Sequence, residues 1–143
     1  MLLFIATLYA RPGSPLALSL VGRSRGLELP ATVLALLGLA VALWARVNLA
    51  RNWSREPEFK QGHELITTGP YRYVRHPIYS GMMLMVLGTA LFTARVVLLG
   101  VWAALFFIFW HRSRLEEALL TEHFPEQYPA YKQRTKALIP FLW

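Results

Sequence analysis

Residues 69–81 read Gly69-Pro-Tyr-Arg-Tyr-Val-Arg-His-Pro-Ile-Tyr-Ser-Gly81 and stand directly before a long apolar run. Pro77 suits the first turn of a helix, because its missing N–H would be unpaired there and its φ is already helical. This predicts a helix that begins at Pro77, with His76 at its entrance. The unpaired N–H groups of the first turn could then bind a carboxylate or another anion. The residue types alone also fit a helix cap at the membrane interface, with snorkelling arginines and interfacial tyrosines.

The composition predicts an integral membrane domain. Of the 143 residues, 55% are hydrophobic and 16% are charged, and the mean hydropathy is +0.37. This leaves too little polar sequence to cover a soluble globule of this size. The formal net charge is +7, and the basic residues gather in the blocks 46–75 and 112–136. Such blocks beside apolar spans favour contact with anionic headgroups on the cytoplasmic face and argue against a nucleic-acid partner. The absence of cysteine excludes disulfides, zinc-thiolate sites and cysteine nucleophiles.

Apolar segments divide the chain into membrane candidates. Residues 29–47 are a clear transmembrane candidate, and residues 77–94 and 96–110 are joined so closely that we expect an antiparallel helical hairpin. Further upstream, the apolar runs 1–9 and 16–22 are each shorter than the roughly 20 residues that span a membrane. A kinked or short span is favoured there, and an interfacial helix or an uncleaved anchor stays open. The predicted fold is an all-α integral membrane protein with three to four transmembrane helices.

A single domain is predicted over residues 1–143. Residues 1–47 would hold the N-terminal membrane helices. Residues 48–143 would form a catalytic half with a cofactor pocket on the cytoplasmic side, built from the hairpin 77–110 and a cytoplasmic tail, 111–143.

The hairpin should bring two distant segments to one face of the membrane. Because both of its ends open on the same side, the loop that carries His63 and His76 should meet the tail that begins at Arg112. The tail is predicted to continue the last span as a helix, on which Arg112 and Glu116 share one face. An ordinary surface ion pair would have the same spacing.

Several familiar kinds of site have no support in the sequence. There is no Gly-x-Gly-x-x-Gly after a strand, no phosphate-binding loop, no His-Glu-x-x-His and no serine elbow. The four histidines share no i, i+4 spacing, so no metal site is predicted. Phe124, Tyr128 and Tyr131 recur at helix-like spacing, where packing is favoured over a cofactor contact. What remains is a basic, aromatic and acidic pocket, which suits a zwitterionic cofactor and an amphiphilic substrate.

The pattern Gly-x-Tyr-x-x-x-Arg-His-Pro-x-Tyr-x-Gly is followed, after the hairpin, by Arg112, the pair Glu116-Glu117, the aromatic residues of the tail and a terminal proline. This order and separation resemble the isoprenylcysteine carboxyl methyltransferase family and its phospholipid methyltransferase relatives. The resemblance covers about residues 48–140. It implies an integral membrane methyltransferase that uses S-adenosylmethionine in a pocket of the carboxy-terminal half, without a Rossmann domain.

The resemblance also implies site residues, position by position. Arg112, as the substrate-orienting residue, and Glu116 are the implied catalytic residues. The implied cofactor-binding residues are His63, Glu64, Leu65, Ile66, Tyr71, His76, Pro77, Ile78, Tyr79 and Glu116. Pro125 departs from the family, because relatives often carry glycine there.

The implied reaction is an in-line displacement at the cofactor's methyl group by an acceptor that enters from the bilayer. A carboxylate acceptor oriented by Arg112 needs no general base, whereas a lipid amine would need Glu116, Glu117 or a histidine to take its proton. The sequence leaves both acceptors open, and a thiol-bearing isoprenoid as well. It also leaves open a non-catalytic membrane scaffold that binds lipid through its basic loops.

The expected partners follow from this interpretation. They are a lipophilic small-molecule or prenylated substrate and membrane lipids, with no nucleic acid and no obligate protein partner. The expected location is the bacterial inner membrane, as a multi-pass protein with the active site on the cytoplasmic side.

Overall fold

The computed structural model describes residues 25–49 and 65–139. This part of the chain is helical and contains no strand longer than an isolated bridge. Its elements are α1 (Arg25–Leu49), a 3₁₀ turn (Gly69–Arg72), α2 (Pro77–Thr93), α3 (Val96–His123) and α4 (Tyr128–Arg134). The predicted apolar runs before Leu29, and the predicted site residues His63 and Glu64, lie outside the described residues.

Helices α1 and α2 are packed backbone to backbone through small residues. A Cβ atom on Gly38 would lie 2.6 Å from the carbonyl oxygen of Gly81, and a Cβ atom on Gly88 would lie 2.6 Å from the amide nitrogen of Ala35. These pairs run in opposite directions along the two helices, so α1 and α2 are antiparallel. Small residues allow this close approach, and close van der Waals packing is what holds apolar helices together in a membrane.

Helices α2 and α3 form the expected hairpin. Ala94 ends α2 in the left-handed conformation, with φ 51°, and Arg95 is extended before α3 begins. Trp102 Nε1 on α3 donates to the carbonyl oxygen of Met83 on α2 at 3.1 Å. The rings of Tyr79 and Phe109 stack nearer the open end of the hairpin, with centroids 4.7 Å apart. The predicted helix start is confirmed, because His76 caps α2 and Pro77 is its first residue.

Helix α3 passes without a break from its apolar half into the polar tail, as predicted. It ends at His123, and α4 begins only at Tyr128. Phe124 is therefore not on the same helix as Tyr128 and Tyr131, and the expected continuous aromatic stripe is interrupted by the turn that contains Pro125. Tyr128 and Tyr131 are both buried, and the hydroxyl of Tyr131 donates to the carbonyl oxygen of Tyr71 at 2.7 Å.

After α4 the chain returns to the entrance of α2. Val74 and Lys136 form a parallel bridge, and the amide of Arg75 donates to the carbonyl oxygen of Lys136 at 2.8 Å. The amide of His76 donates to the carbonyl oxygen of Ala137 at 3.0 Å. These bonds fix the Arg-His-Pro segment between the membrane helices and the tail.

The apolar helices support a membrane location. Within the described residues, α1 and α3 are long and apolar enough to cross a membrane, and α2 is a shorter apolar helix of 17 residues. Large apolar side chains on α1, among them Leu29, Leu36 and Val47, are exposed. A water-exposed surface of this kind is unfavourable, whereas lipid would cover it.

Candidate active site

His76 lies between two neighbouring carboxylates of α3. Its Nδ1 is 3.4 Å from Glu116 Oε2, and its Nε2 is 3.5 Å from Glu117 Oε1. The imidazole is buried, and it occupies the cap position of α2. The open end of the hairpin therefore brings together the two segments that the sequence places about 40 residues apart, as the hairpin prediction requires.

The Glu116 cluster consists of His76, Tyr79, Arg112 and Glu116. The hydroxyl of Tyr79 donates to Glu116 Oε1, and Arg112 Nε donates to the same oxygen at 3.0 Å and to the Tyr79 hydroxyl at 2.8 Å. The ring of Tyr79 stacks with the rings of His76 and Phe109 and lies nearly parallel to both. The side chains of Glu116 and Arg112 are 23% and 44% exposed, so this cluster has access to solvent or to a ligand.

The Glu117 cluster consists of Arg75, Glu117 and Lys132. Arg75 Nε and Lys132 Nζ each lie 2.8 Å from an oxygen of Glu117, whose side chain is only 4% exposed. Arg75 also donates to the carbonyl oxygens of Lys132, at 3.2 Å, and of Thr135. Since Lys132 and Thr135 belong to α4 and its C-terminal end, this cluster attaches the tail to the start of α2.

The charges in the two clusters stabilise one another. Burial by itself lowers the pKa of His76, but the neighbouring carboxylates of Glu116 and Glu117 outweigh burial and raise that pKa above its ordinary value. Glu116 and Glu117 lie on the polar part of α3, beyond the apolar run that ends at Trp110. Burial raises the pKa of each carboxyl, and His76 with the neighbouring cations more than reverses that effect, so both pKa values are lowered. The network therefore favours two carboxylates with a protonated imidazole between them.

Tyr71 is the other predicted site residue with a defined environment. It is buried in the 3₁₀ turn, whose first residue, Gly69, has a φ of +60° and would place a Cβ atom 2.4 Å from the side chain of Asn48. Burial raises the pKa of Tyr71, and the charges of Tyr131 and Glu116 act in the same direction. Tyr71 therefore lies within electrostatic range of the Glu116 cluster.

The structure brings His76, Tyr79, Arg112 and Glu116 into direct contact. Leu65 and Ile66 precede the 3₁₀ turn and are partly buried, Pro77 is buried and Ile78 is partly buried on the first turn of α2. These four apolar residues make no polar contact with the cluster. Their assignment to a cofactor stays a prediction.

Sequence reasoning left two members of the Glu117 cluster without a role. Arg75 stands inside the motif, next to His76, but its partner Glu117 lies 42 positions away. Lys132 is still further along the chain, on α4. The sequence did contain a signal for the Glu117 cluster, namely two adjacent carboxylates at positions 116 and 117. Only the fold shows that these two carboxylates have different neighbours. Among the described residues, no group of three or more potential metal-ligating side chains is found.

The described residues form a helical membrane domain, and its ionisable residues gather at one end of a hairpin. These features are typical of the class of membrane proteins that have a polar site at the bilayer boundary. The family model described as phospholipid methyltransferase matches residues 28–127. This is more than half of the chain, and the chain therefore belongs to the phospholipid methyltransferase family.

Curated relatives share this region. The chain is 28% identical over 113 residues to a probable protein-S-isoprenylcysteine O-methyltransferase of Oryza sativa, which covers 77% of this chain and 59% of the rice protein. It is 36% identical over 84 residues to the protein-S-isoprenylcysteine O-methyltransferase of Saccharomyces cerevisiae, covering 56% of this chain and 34% of the yeast protein. It is also 32% identical over 110 residues to the cobalt-zinc-cadmium resistance protein CzcN of Cupriavidus metallidurans, covering 76% of this chain and 49% of that protein.

A solved structure agrees with the fold. The eukaryotic intramembrane Ras methyltransferase ICMT superimposes with a TM-score of 0.77 at 25% identity. The match covers 97% of this chain and 48% of the solved chain. The chain thus spans about half the length of that protein and less than two thirds of the rice enzyme.

Proposed function

We propose that this protein transfers a methyl group from S-adenosylmethionine to a lipophilic acceptor in the membrane, and that the acceptor is an isoprenylcysteine-type carboxylate. The observation that supports this most directly is the Glu116 cluster. It joins a carboxylate, a guanidinium, an imidazole and an aromatic ring at the polar end of an apolar hairpin. The isoprenylcysteine methyltransferases among its relatives favour the carboxylate over other acceptors.

The residues present fit such a cofactor. Glu116 offers a half-buried carboxylate that could accept hydrogen bonds from ribose hydroxyls, and the stacked Tyr79 offers an aromatic environment. His76 Nε2 is buried and forms no hydrogen bond with the described residues, its nearest ionic neighbour being Glu117 Oε1 at 3.5 Å. We assign cofactor binding to these three residues together with Tyr71, Pro77, Ile78 and the segment 63–66. The cofactor would supply the electrophilic methyl group.

The chain's own residues would then act mainly by position. The Arg112 guanidinium is held by Tyr79 and Glu116 and is 44% exposed, so it can orient an acceptor carboxylate at the mouth of the cluster. A carboxylate is already a nucleophile at neutral pH, and no group has to remove a proton from it. The apolar faces of α2 and α3 would guide the lipid portion of the acceptor and exclude water.

The membrane arrangement is part of the same proposal. We place α1, α2 and α3 across the bilayer, with one further span or interfacial segment before α1, to give three to four transmembrane helices. The Glu116 cluster would face the cytoplasm, because the flanking blocks 46–75 and 112–136 are basic. In a bacterium this would be the cytoplasmic side of the inner membrane. Residues 48–143 would form the catalytic half of the single domain.

Calorimetry with S-adenosylhomocysteine on the detergent-purified protein tests cofactor binding. We expect saturable binding, which His76→Ala weakens at least about tenfold, equivalent to about 1.4 kcal/mol. A non-catalytic lipid-binding scaffold predicts no binding at all. Wild-type affinity in His76→Ala would remove this residue from the pocket.

A second candidate function is N-methylation of a phospholipid headgroup, and the description of the matching family model favours it. An amine acceptor must lose a proton, which the carboxylate of Glu116 in the cluster could take. Membranes incubated with labelled S-adenosylmethionine distinguish the two acceptors. A methyl ester is hydrolysed by mild base, whereas a methylated amine keeps its label.

A further inference from the structure

A polar cleft lies on a different face of α3 from the Glu116 cluster. Its volume is about 290 Å³, and it opens between α3 and the C-terminal segment. On α3 it is lined by residues at positions 110, 113, 114 and 117, which follow the spacing of one helix face. Positions 109, 112 and 116, which carry the contacts of the Glu116 cluster, are rotated about 100° away from this face.

The cleft carries an excess of positive charge. Its lining includes Arg75, Arg114, Lys132 and Lys136 but only one carboxylate, that of Glu117. Arg75 and Lys132 share Glu117, each at 2.8 Å. No carboxylate of a described residue pairs with Arg114 or Lys136, so these two cations are not neutralised within this part of the chain. An anion entering the cleft would meet a net positive field.

Trp110 lines the cleft beside Arg114. The Arg114 guanidinium lies 5.7 Å from the centre of the Trp110 ring, which helps to hold both side chains in place. The indole Nε1 is shielded from solvent, so Trp110 contributes to the cleft through its ring.

The depth of the cleft in the membrane indicates which kind of anion it would bind. Trp110 is the last residue of the apolar run of α3, a position that corresponds to the headgroup region of a bilayer. Towards the centre of the membrane, the same side of α3 presents Ala103, Phe106 and the exposed Phe107. We propose that the cleft binds the phosphate of an anionic glycerophospholipid, whose acyl chains lie along this apolar side of α3. The cleft adjoins the proposed methyl-transfer site through Glu117, which lines the cleft and contacts His76, but the lipid proposal does not depend on methyl transfer.

Lipid retention by the full chain tests this proposal. The protein is equilibrated with an equal mixture of phosphatidylglycerol and phosphatidylcholine, and the bound lipids are counted by native mass spectrometry. We expect selective retention of one phosphatidylglycerol. Each cation near a lipid phosphate contributes about fivefold in affinity, so Arg114→Gln combined with Lys136→Gln should weaken retention by about 25-fold.

Arg134→Gln is the matched control, because Arg134 is exposed on α4 between two cleft residues but does not line the cleft. It should leave selectivity unchanged. A loss of about fivefold in Arg134→Gln, equal to that expected for either cleft cation alone, would show diffuse attraction to the membrane and would overturn the proposal. Absence of phosphatidylglycerol selectivity in the wild-type protein would overturn it as well.

Glycerol 1-phosphate identifies the source of the phosphate, since binding as tight as that of the phospholipid would assign the cleft to a soluble phosphate ester and reject the lipid.

Discussion

Glu116 and Glu117 are adjacent in sequence and are surrounded by different residues. The Glu116 cluster is open, with an exposed arginine and a tyrosine hydroxyl beside a partly exposed carboxylate. The Glu117 cluster is closed, because Arg75 and Lys132 occupy both oxygens of a carboxylate that is 4% exposed. Successive positions on a helix differ by about 100°, so one carboxylate can face a ligand while the next faces the protein. His76 contacts both and couples them.

Glu117→Ala should give the largest effect if the closed cluster is structural. The substitution leaves Arg75 and the buried His76 without their shared anion, and breaking a buried ion pair in this way costs about 3 kcal/mol of folding free energy. Denaturant unfolding in detergent, followed by proteolysis, measures the change. Glu122→Ala, at an exposed position of the same helix, should be neutral. If Glu117→Ala does not fold, Glu117→Gln gives a smaller loss in the same direction; stability equal to wild type in Glu117→Gln and Glu117→Ala would contradict the assignment.

Glu116→Ala should separate binding from stability. We expect affinity for S-adenosylhomocysteine to fall at least tenfold, about 1.4 kcal/mol, with a smaller loss of stability than in Glu117→Ala. Calorimetry and the unfolding assay, performed on the same preparation, give both quantities. The opposite pattern, with stability lost and affinity kept, would exchange the roles of the two carboxylates.

The pH dependence of stability should report the imidazole that joins the clusters. The pKa of His76 is raised in the folded protein, so the folded state binds this proton more tightly than the unfolded chain. The resulting stabilisation is complete below the ordinary pKa of 6.5 and is lost as the pH rises through the higher folded-state value. The slope of the unfolding free energy is at most about 1.4 kcal/mol per pH unit for one proton.

His76→Gln removes the titrating group and supplies the reference for that slope. Subtracting its pH profile from the wild-type profile isolates the contribution of the imidazole from that of the carboxylates. Glu116 and Glu117 affect stability in a different pH range, because their pKa values are lowered in the folded protein. Their stabilisation is therefore lost as the pH falls below about 4.5. Equal slopes above neutral pH in the two proteins would show that His76 does not titrate between the carboxylates.

Arg112→Ala should have the smallest effect on folding. Its guanidinium is largely exposed, and an exposed ion pair contributes less than about 1 kcal/mol. We expect cofactor affinity to be retained and turnover to fall about tenfold, which corresponds to about 1.4 kcal/mol in activation free energy. Methyl transfer to a prenylated cysteine analogue measures turnover, with Arg114→Ala as the control on the next face of α3. Joint loss of affinity, turnover and stability would instead indicate an unfolded tail.

Much of the fold could be predicted from local signals. Pro77 marks the start of α2 because its φ and missing N–H fit a first helical turn, and the short connection at Ala94 and Arg95 makes a hairpin. The contact between α1 and α2 was less predictable. A glycine at position 81 permits a close approach, but only the fold identifies the neighbour as Gly38. Pro125 was noted, yet the interruption of the aromatic stripe at Phe124 was not expected.

The sequence by itself determined an apolar helical chain, a hairpin, and a motif and an acidic pair that had to meet at one end of it. These follow from periodicity, hydropathy and the restricted geometry of proline, which act over a few residues. The tertiary structure alone decided that Glu116 joins Arg112 and Tyr79, while Glu117 joins Arg75 and Lys132. The reason is physical, since the partners of a side chain depend on helix rotation and on the return of a distant tail. Neither is encoded in local spacing.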